Sequence, residues 1–460
     1  MSYRKKVAMV YLLGFFLDLI NMFISTVAYP AIGLAMQTSV AQLAWISNGY
    51  ICGLTLIVPL GAWLTQRVGA RRVFLTSLVL FVVGTALSGL SRSIEGLIFW
   101  RVVQGLGGGL LIPIGQALTW QLYASHERAR LSSAVMLVAL LAPALSPALG
   151  GWLIQALNWR WVFFASLPLA VLTLIMAFAW LKDGVRSPKE GKLDLTGLII
   201  GCAGLFLVLT GMTELAENGG VIRGGGFLLP GILLLIFFII HNRRVSSPLF
   251  SFDLLSDPLM RYSMMVYQCV PGLFMGVSLV SMLYLQASLS LSPAATGALM
   301  LPWSAASFFA LLITGKTFNQ LGPRPLIIAG CLLQATGIVI LSLVSHGAQY
   351  SLLTIAFALM GLGGSLCSST AQNSAFLNIA ASDMHEASAL WNINRQLSFC
   401  FGVALLSLLL NLLISHMSLR QAYLWTFYAA ATGTLIPALL SLKLNNRTIK
   451  ENIKSEGKPE

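Results

Sequence analysis

Two ionisable side chains lie inside runs of residues that are otherwise apolar. Asp18 falls within the run that opens at Val7, and Arg101 within the run that opens near Glu95. Asp18 is about eleven residues into its run, roughly 17 Å along a helix and close to the middle of a bilayer. Holding an aspartate there costs about 2.5–3.5 kcal/mol on insertion scales, so such a group is a functional candidate by default. Asp18, Asn21 and Ser25 recur at i, i+3 and i+7, which gives their helix one polar stripe. Gln104 follows Arg101 by one turn on the same face. Arginine stays charged even when desolvated, so Arg101 requires a carboxylate, a dipole or an anionic ligand. A carboxyl that alternates between charged and neutral beside a permanent cation is the chemistry of proton coupling. Asp18 and Arg101 are the candidate coupling pair, and Asp18, Asn21, Ser25, Arg101 and Gln104 the candidate substrate contacts. The stripe also predicts that exchanging Asp18 and Asn21 keeps an acid on the same face and preserves part of its role.

The elements that position these residues are membrane spans. Of 460 residues, 57% are hydrophobic and 9% charged, against roughly 25% charged in soluble domains. Such a chain cannot cover a water-facing surface. At about 20 apolar residues per crossing, the sequence divides into fourteen spans. They lie near 7–30, 43–65, 73–91, 95–119, 131–155, 161–181, 195–214, 226–241, 262–286, 294–317, 325–345, 351–376, 396–415 and 422–443. With an even count and a cytoplasmic N-terminus, the inside segments collect Arg4, Lys5, Lys6, Arg67, Arg71, Arg72, Arg128, Arg130, Arg243, Arg244, Lys316, Arg324 and the basic tail. The outside loops hold only Arg92, Arg160, Arg223 and Arg420. That asymmetry obeys the positive-inside rule and places both termini in the cytoplasm. The net charge of +13 is therefore topological and does not point to nucleic acid. The first run is too long for a signal peptide and lacks a small-residue cleavage site, so it is expected to remain as a span. The six cysteines all fall inside spans without metal-ligand spacing. The histidines lie in loops or at span ends, so no metal or cofactor is expected. Neither paired carboxylates at an interface nor a phosphate-binding Gly-rich loop with lysine is present, so neither an enzyme nor an ATP-driven pump is expected.

A repeat organises the spans. Gly61-x7-Gly69-Ala70-Arg71 matches Gly315-x6-Gly322-Pro323-Arg324, and Gly105-Leu106-Gly107-Gly108 matches Gly361-Leu362-Gly363-Gly364. The offsets agree, 253 residues at Gly69 and 256 at Gly105. Spans 1–6 and 9–14 thus read as two six-helix halves, and spans 7–8 as an insert. The expected divisions are 1–181, 182–261 for the inserted pair, 262–443, and a basic tail over 444–460.

The motifs resemble those of the major facilitator superfamily. The stretch from Ala62 to Arg72, with Gln66, Arg67, Gly69 and Arg71, is similar to that family's cytoplasmic loop between helices 2 and 3. Arg101-Val102-Val103-Gln104-Gly105-Leu106-Gly107-Gly108-Gly109 resembles its arginine-bearing helix-4 motif. Pro143-Ala144-Leu145-Ser146-Pro147-Ala148-Leu149-Gly150-Gly151 resembles the helix-5 motif of exporters. With fourteen spans, the chain resembles the fourteen-helix drug/proton antiporter branch.

That resemblance implies an all-α membrane protein of two six-helix bundles plus two inserted helices, with a midplane substrate site and alternating access. It implies a monomeric, multi-pass exporter of the bacterial inner membrane, trading protons for a small organic molecule. The candidate substrates are drug-like compounds or an endogenous metabolite such as a siderophore; proton-coupled uptake and a transport-free receptor or scaffold are the alternatives. Gln66, Arg67, Gly69, Arg71, Gly105, Pro143, Pro147, Gly150 and Gly151 take conformational roles by the same resemblance. The sequence departs from the family at four residues. In the helix-1 motif Asn21 stands where the family usually has aspartate and Thr26 where it has asparagine; Gln66 replaces an acid in the loop motif, and Ser146 replaces a glycine. Asp18, one turn before Asn21, is the acid available to take over. Tyr267, Gln268, Gln116, Trp120, Gln372 and Asn373 are further polar or aromatic residues that a substrate path could recruit.

Overall fold

The computed structural model describes residues 2–120, 122, 138, 142, 145–182, 194–215, 221–245, 252–346, 349–379, 384–442 and 446. Among these residues the secondary structure is helical and holds no strand. Among the described residues, thirteen helical stretches are long and apolar enough to cross a membrane. Of the span expected over 131–155, the described residues comprise 138, 142 and a helix over 145–156 (α7).

The first span runs from Tyr3 to Met36 and is longer than its apolar core suggested. It comprises α1 (Tyr3–Ile24), a 3₁₀ turn over Ser25–Ala28, and α2 (Tyr29–Met36). Ser39 and Gln42 then form a capping box, with Gln42 N–H donating to Ser39 Oγ at 3.3 Å and Ser39 N–H to Gln42 Oε1 at 3.1 Å. That box starts α3 (Val40–Val68). After it come α4 (Ala70–Leu90), α5 (Ile94–Gly108), α6 (Leu111–Trp120), α7, α8 (Trp161–Phe164) and α9 (Leu167–Trp180). Helices α10 (Leu195–Leu215) and α11 (Val221–Asn242) pack chiefly on each other. Asp194 ties their ends, accepting from Gly197 N–H at 2.8 Å and meeting His241 Nε2 at 2.9 Å. Helix α10 also touches α3, where the rings of Phe206 and Trp45 lie 5.8 Å apart. Much of α11 is exposed apolar surface, including Ile222, Leu229, Leu233, Ile236 and Phe237. Such a surface suits lipid, in which a helix satisfies its own backbone.

The rest of the chain supplies α12 (Pro258–Tyr267), α13 (Leu273–Leu283), α14 (Pro293–Ala298), α15 (Met300–Leu321), α16 (Pro323–Leu343), α17 (Tyr350–Ala375), α18 (Met384–Ile414) and α19 (Leu419–Ser441). A π turn over Gln268–Gly272 separates α12 from α13. Two compact units emerge: Met1–Leu249 with Ser292–Ala298, and Phe250–Leu291 with Leu299–Glu460.

The repeat read from glycine spacing reappears as helix crossings inside each unit. Helix α3 passes to α4 at Gly69 with φ 96°, and α15 passes to α16 at Gly322 with φ 76°, the left-handed region that glycine enters without strain. In the first unit a Cβ on Gly105 would strike the carbonyl oxygen of Tyr50; in the second, one on Gly361 would strike that of Trp303. Gly107 lies against the backbone of Ser77 and Phe81, and Gly363 against that of Gly330 and Gln334. The glycines are 256 residues apart and their contacts 253, so the same crossings are built twice. Small residues permit this because van der Waals contact drives helix association in lipid.

Candidate functional site

Arg101 occupies the middle of α5 and is fully buried. Its guanidinium uses three nitrogens. Nε donates to the Ile46 carbonyl at 3.0 Å, Nη1 to Gln104 Oε1 at 2.7 Å and Nη2 to the Asn21 carbonyl at 3.3 Å. The charge lies 4.3 Å from the centroid of Tyr50 and 5.8 Å from that of Phe163. Cation–π contacts contribute about 2 kcal/mol when desolvated. Together these neutral groups replace the water that the bilayer denies the guanidinium.

Gln104 orients the arginine because both ends of its amide are engaged. Its oxygen accepts from Arg101 Nη1, and Nε2 donates to Asn21 Oδ1 at 2.8 Å and to Thr85 Oγ1 at 2.7 Å. Asn21 is held in turn, its Nδ2 donating to the Leu17 carbonyl at 2.9 Å and its Oδ1 accepting from Ser166 Oγ at 3.3 Å. One connected network therefore joins α1, α3, α4, α5 and the turn before α9. Such a network fixes geometry more than any single bond does.

Asp18 is 2% exposed and belongs to a separate branch. Its carboxylate accepts a short hydrogen bond from the Tyr50 hydroxyl. Tyr50 thus faces the cation with its ring and the acid with its oxygen. The helix-4 glycines make room for this. A Cβ on Gly108 would come within 2.8 Å of Asp18 Oδ1 and 2.9 Å of the Tyr50 hydroxyl.

The five candidate residues are all buried in the first unit. Asp18 and Asn21 share the stripe but have different partners, which the helical spacing alone did not separate. Ser25 lies in the 3₁₀ turn and stands outside the network described above. Sequence reasoning missed Tyr50, Thr85 and Ser166. Hydroxyl residues in apolar spans are common, and no spacing rule joins three different helices; the one local cue was Tyr50 two positions after Asn48 in an apolar run.

Among the conformational candidates, Arg67 covers the Trp63 ring at 4.7 Å. Arg71 Nη2 donates to the Phe178 carbonyl at 3.1 Å. Gln66 lies in α3, its side chain beyond what is described, and Pro143 lies outside the described residues. Pro147, Gly150 and Gly151 belong to α7, where Gly150 rests against Ile24 and Gly151 against the Pro293 carbonyl. The carbonyl of Pro147 meets Gly297 of α14 in return.

The repeat shows that this cluster was built once. The positions equivalent to Tyr50, Thr85, Arg101 and Gln104 are Trp303, Ile338, Phe357 and Met360. The last three are buried and apolar. Identical crossings thus enclose charge in one unit and hydrocarbon in the other.

The pattern of the Major Facilitator Superfamily matches residues 11–403. The chain belongs to that superfamily and is a multi-pass membrane transporter. It is 30% identical over 384 residues to a multidrug resistance protein B homolog of Mycobacterium tuberculosis, covering 82% of this chain and 70% of the relative. It is 24% identical to the putative multidrug resistance protein MdtD of Salmonella paratyphi B, covering 97% and 96%. Its fold resembles that of the POT family transporter PepTSo, with a TM-score of 0.72 at 12% identity, covering 99% of each chain. The xylose transporter XylE from E. coli, in an inward-open conformation, gives 0.65 at 15% identity, covering 98% of this chain and 99% of that one.

Proposed function

We propose that this transporter exports a small organic molecule, a drug-like compound or an endogenous metabolite such as a siderophore, across the bacterial inner membrane by proton antiport. The observation that carries this reading is Tyr50, held between the Arg101 guanidinium and the Asp18 carboxylate inside the membrane-spanning part of the first unit. With Asp18 ionised, this group is neutral overall; with Asp18 protonated, it carries one positive charge. The group would then register a bound proton as one unit of charge, the condition for coupling proton movement to substrate exchange. The Tyr50 hydroxyl would convey the change, since a protonated Asp18 can itself donate. Alternating access would expose Asp18 to each side in turn, while Arg101 and its amide partners hold the frame. The names of both relatives, with multidrug resistance in each, support the drug-like class.

In the same reading, 1–181 and 262–443 form the two six-helix halves and 182–261 an inserted pair, with both termini in the cytoplasm and the chain acting as a monomer. The mutual packing of α10 and α11 supports the insert.

The test uses inverted vesicles energised by respiration, a panel of lipophilic cations, neutral drugs and organic acids, and a pH-sensitive dye. Accumulation of a compound with matching proton efflux from the lumen supports antiport. Substrate movement in the opposite sense on imposing the same gradient would establish symport instead.

A further inference from the structure

The second unit carries its own intramembrane cation, Arg395, whose Nε has no hydrogen-bond partner among the described residues. Arg395 lies in α18, inside the span Leu390–Ile414. The six spans wholly or mainly within this unit contain no aspartate or glutamate. Arg395 Nε is buried with no hydrogen-bond partner, and among the described residues no carboxylate lies within ion-pair reach. Contrast Arg101, whose three guanidinium nitrogens each donate to a neutral oxygen. A permanent charge without such a shell is expensive in a membrane and marks a ligand path.

Aromatic and amide residues neighbour Arg395 along α18. Trp391, Arg395 and Phe399 follow one another at i, i+4 and i+8, on one face of α18. The Tyr267 ring touches both neighbours, 5.0 Å from Trp391 edge to face and 6.3 Å from Phe399. Arg395 is within electrostatic range of the Tyr267 phenol. Beside Tyr267, Gln268 Nε2 donates to Asn394 Oδ1 at 3.0 Å, and Asn394 Nδ2 to the Met264 carbonyl at 3.3 Å. Gln268 opens the π turn that ends at Gly272 and contains Pro271. Interruptions of this kind are frequent at functional sites because they re-aim side chains.

Resting on the reading of this chain as an exporter of small organic molecules, we propose that Arg395 with Tyr267, Trp391 and Phe399 forms an anion-recognising substrate subsite. Its ligand carries a carboxylate or a comparable oxyanion on an aromatic or lipophilic body. The guanidinium fork takes the oxyanion through charge-assisted hydrogen bonds, for which Nε has no competing partner among the described residues. The rings take the body. The preferred substrates are therefore organic acids and zwitterions rather than simple lipophilic cations. The amide pair Gln268–Asn394 fixes the register of α18 against the π turn and so keeps arginine and rings facing the same ligand.

The experiment uses full-length protein purified in maltoside detergent, which contains no phosphate, and two probes of one shape, 1-naphthoate and the neutral 1-naphthamide. Binding is read by quenching of tryptophan fluorescence, with Trp391→Phe as the control for proximity. The naphthoate should bind about tenfold or more tightly than the amide, as expected for a charge-assisted bond. Arg395→Gln should abolish that preference, Arg395→Lys should keep part of it, and Trp391→Phe should lose most of the quench. Equal binding of acid and amide to the wild type overturns the subsite, as does an acid preference that survives Arg395→Gln. Should Arg395→Gln fail to fold, the wild-type acid/amide ratio and Arg395→Lys decide. Phosphatidylglycerol added to the detergent separates the two sources of oxyanion: competition with naphthoate in the wild type only assigns the subsite to lipid headgroups and overturns the substrate role. Failure of proton-driven export in vesicles leaves these binding results standing, so the two readings fail separately.

Discussion

The guanidinium of Arg101 lies 4.3 Å from the centroid of the Tyr50 ring, while the hydroxyl of that tyrosine donates to the Asp18 carboxylate. One side chain therefore touches both intramembrane charges of the first unit. Tyr50→Phe keeps the ring under Arg101 and deletes only the link to Asp18. Proton-driven flux should fall about tenfold, the scale of one hydrogen bond to a charged group, with little change in thermal stability in detergent. Flux equal to wild type across a pH series would leave Tyr50 as packing.

Moving the acid is the second test. Asp18→Asn should eliminate the response of export to the proton gradient without lowering the amount of protein in the membrane. The stripe on α1 suggested that adding Asn21→Asp would return part of the flux. Their contacts argue otherwise. An acid at 21 would face Gln104 and Ser166 and lose the bond that Asn21 Nδ2 makes with the Leu17 carbonyl. The double variant should therefore remain uncoupled, measured by dye-detected proton flux. Substantial rescue would show that any carboxyl on this stripe suffices.

Arg101→Ala should abolish transport and destabilise the first unit by roughly 3–5 kcal/mol, the usual cost of breaking a buried charged set. Arg101→Lys should restore little, because an ammonium cannot serve the Ile46 carbonyl, Gln104 and the Asn21 carbonyl with one planar fork. Activity and melting temperature are compared at matched expression. Near-normal flux in the alanine variant would remove Arg101 from the machinery.

The paired glycines give a stability test independent of transport. Gly105→Ala would push a methyl into the Tyr50 carbonyl, and Gly361→Ala into that of Trp303. Each should cost about 1–3 kcal/mol by overpacking, read as earlier loss of monodispersity on heating. Gly105→Ala should also disturb coupling, since it displaces Tyr50; Gly361→Ala faces no such cluster. Equal, negligible effects would mean that the crossings relax freely.

Cysteines placed at Ile199 and Leu233, exposed positions on α10 and α11, should react with a thiol reagent at the same rate with and without substrate, in a background freed of the six native cysteines. Protection by substrate at both would bring the inserted pair into the transport path.

Much of the architecture was legible in the sequence because bilayer crossing leaves long apolar runs and because glycine spacing records close helix approach. Boundaries were less legible. The polar stretch Trp391-Asn-Ile-Asn-Arg-Gln made the thirteenth span look as if it began at 396, which left Arg395 unassigned. The helix runs from Met384, since Asn394 finds Gln268 and the Met264 carbonyl, and Trp391 finds Tyr267. Hydropathy counts a residue's cost and cannot see the partner that offsets it.

The sequence by itself determined the class, the repeat and the identity of the first unit's buried charges, since each follows from residue type and from periodicity along one chain. It also determined that Asp18 and Asn21 share a face. Only the tertiary structure decided that they serve different partners, that Tyr50 stands between the acid and Arg101, and that the equivalent crossings of the second unit enclose Ile338, Phe357 and Met360. The reason is physical. A stripe on one helix fixes direction to within a quadrant, but a hydrogen bond requires two atoms about 3 Å apart, and that distance is set by where a second helix crosses.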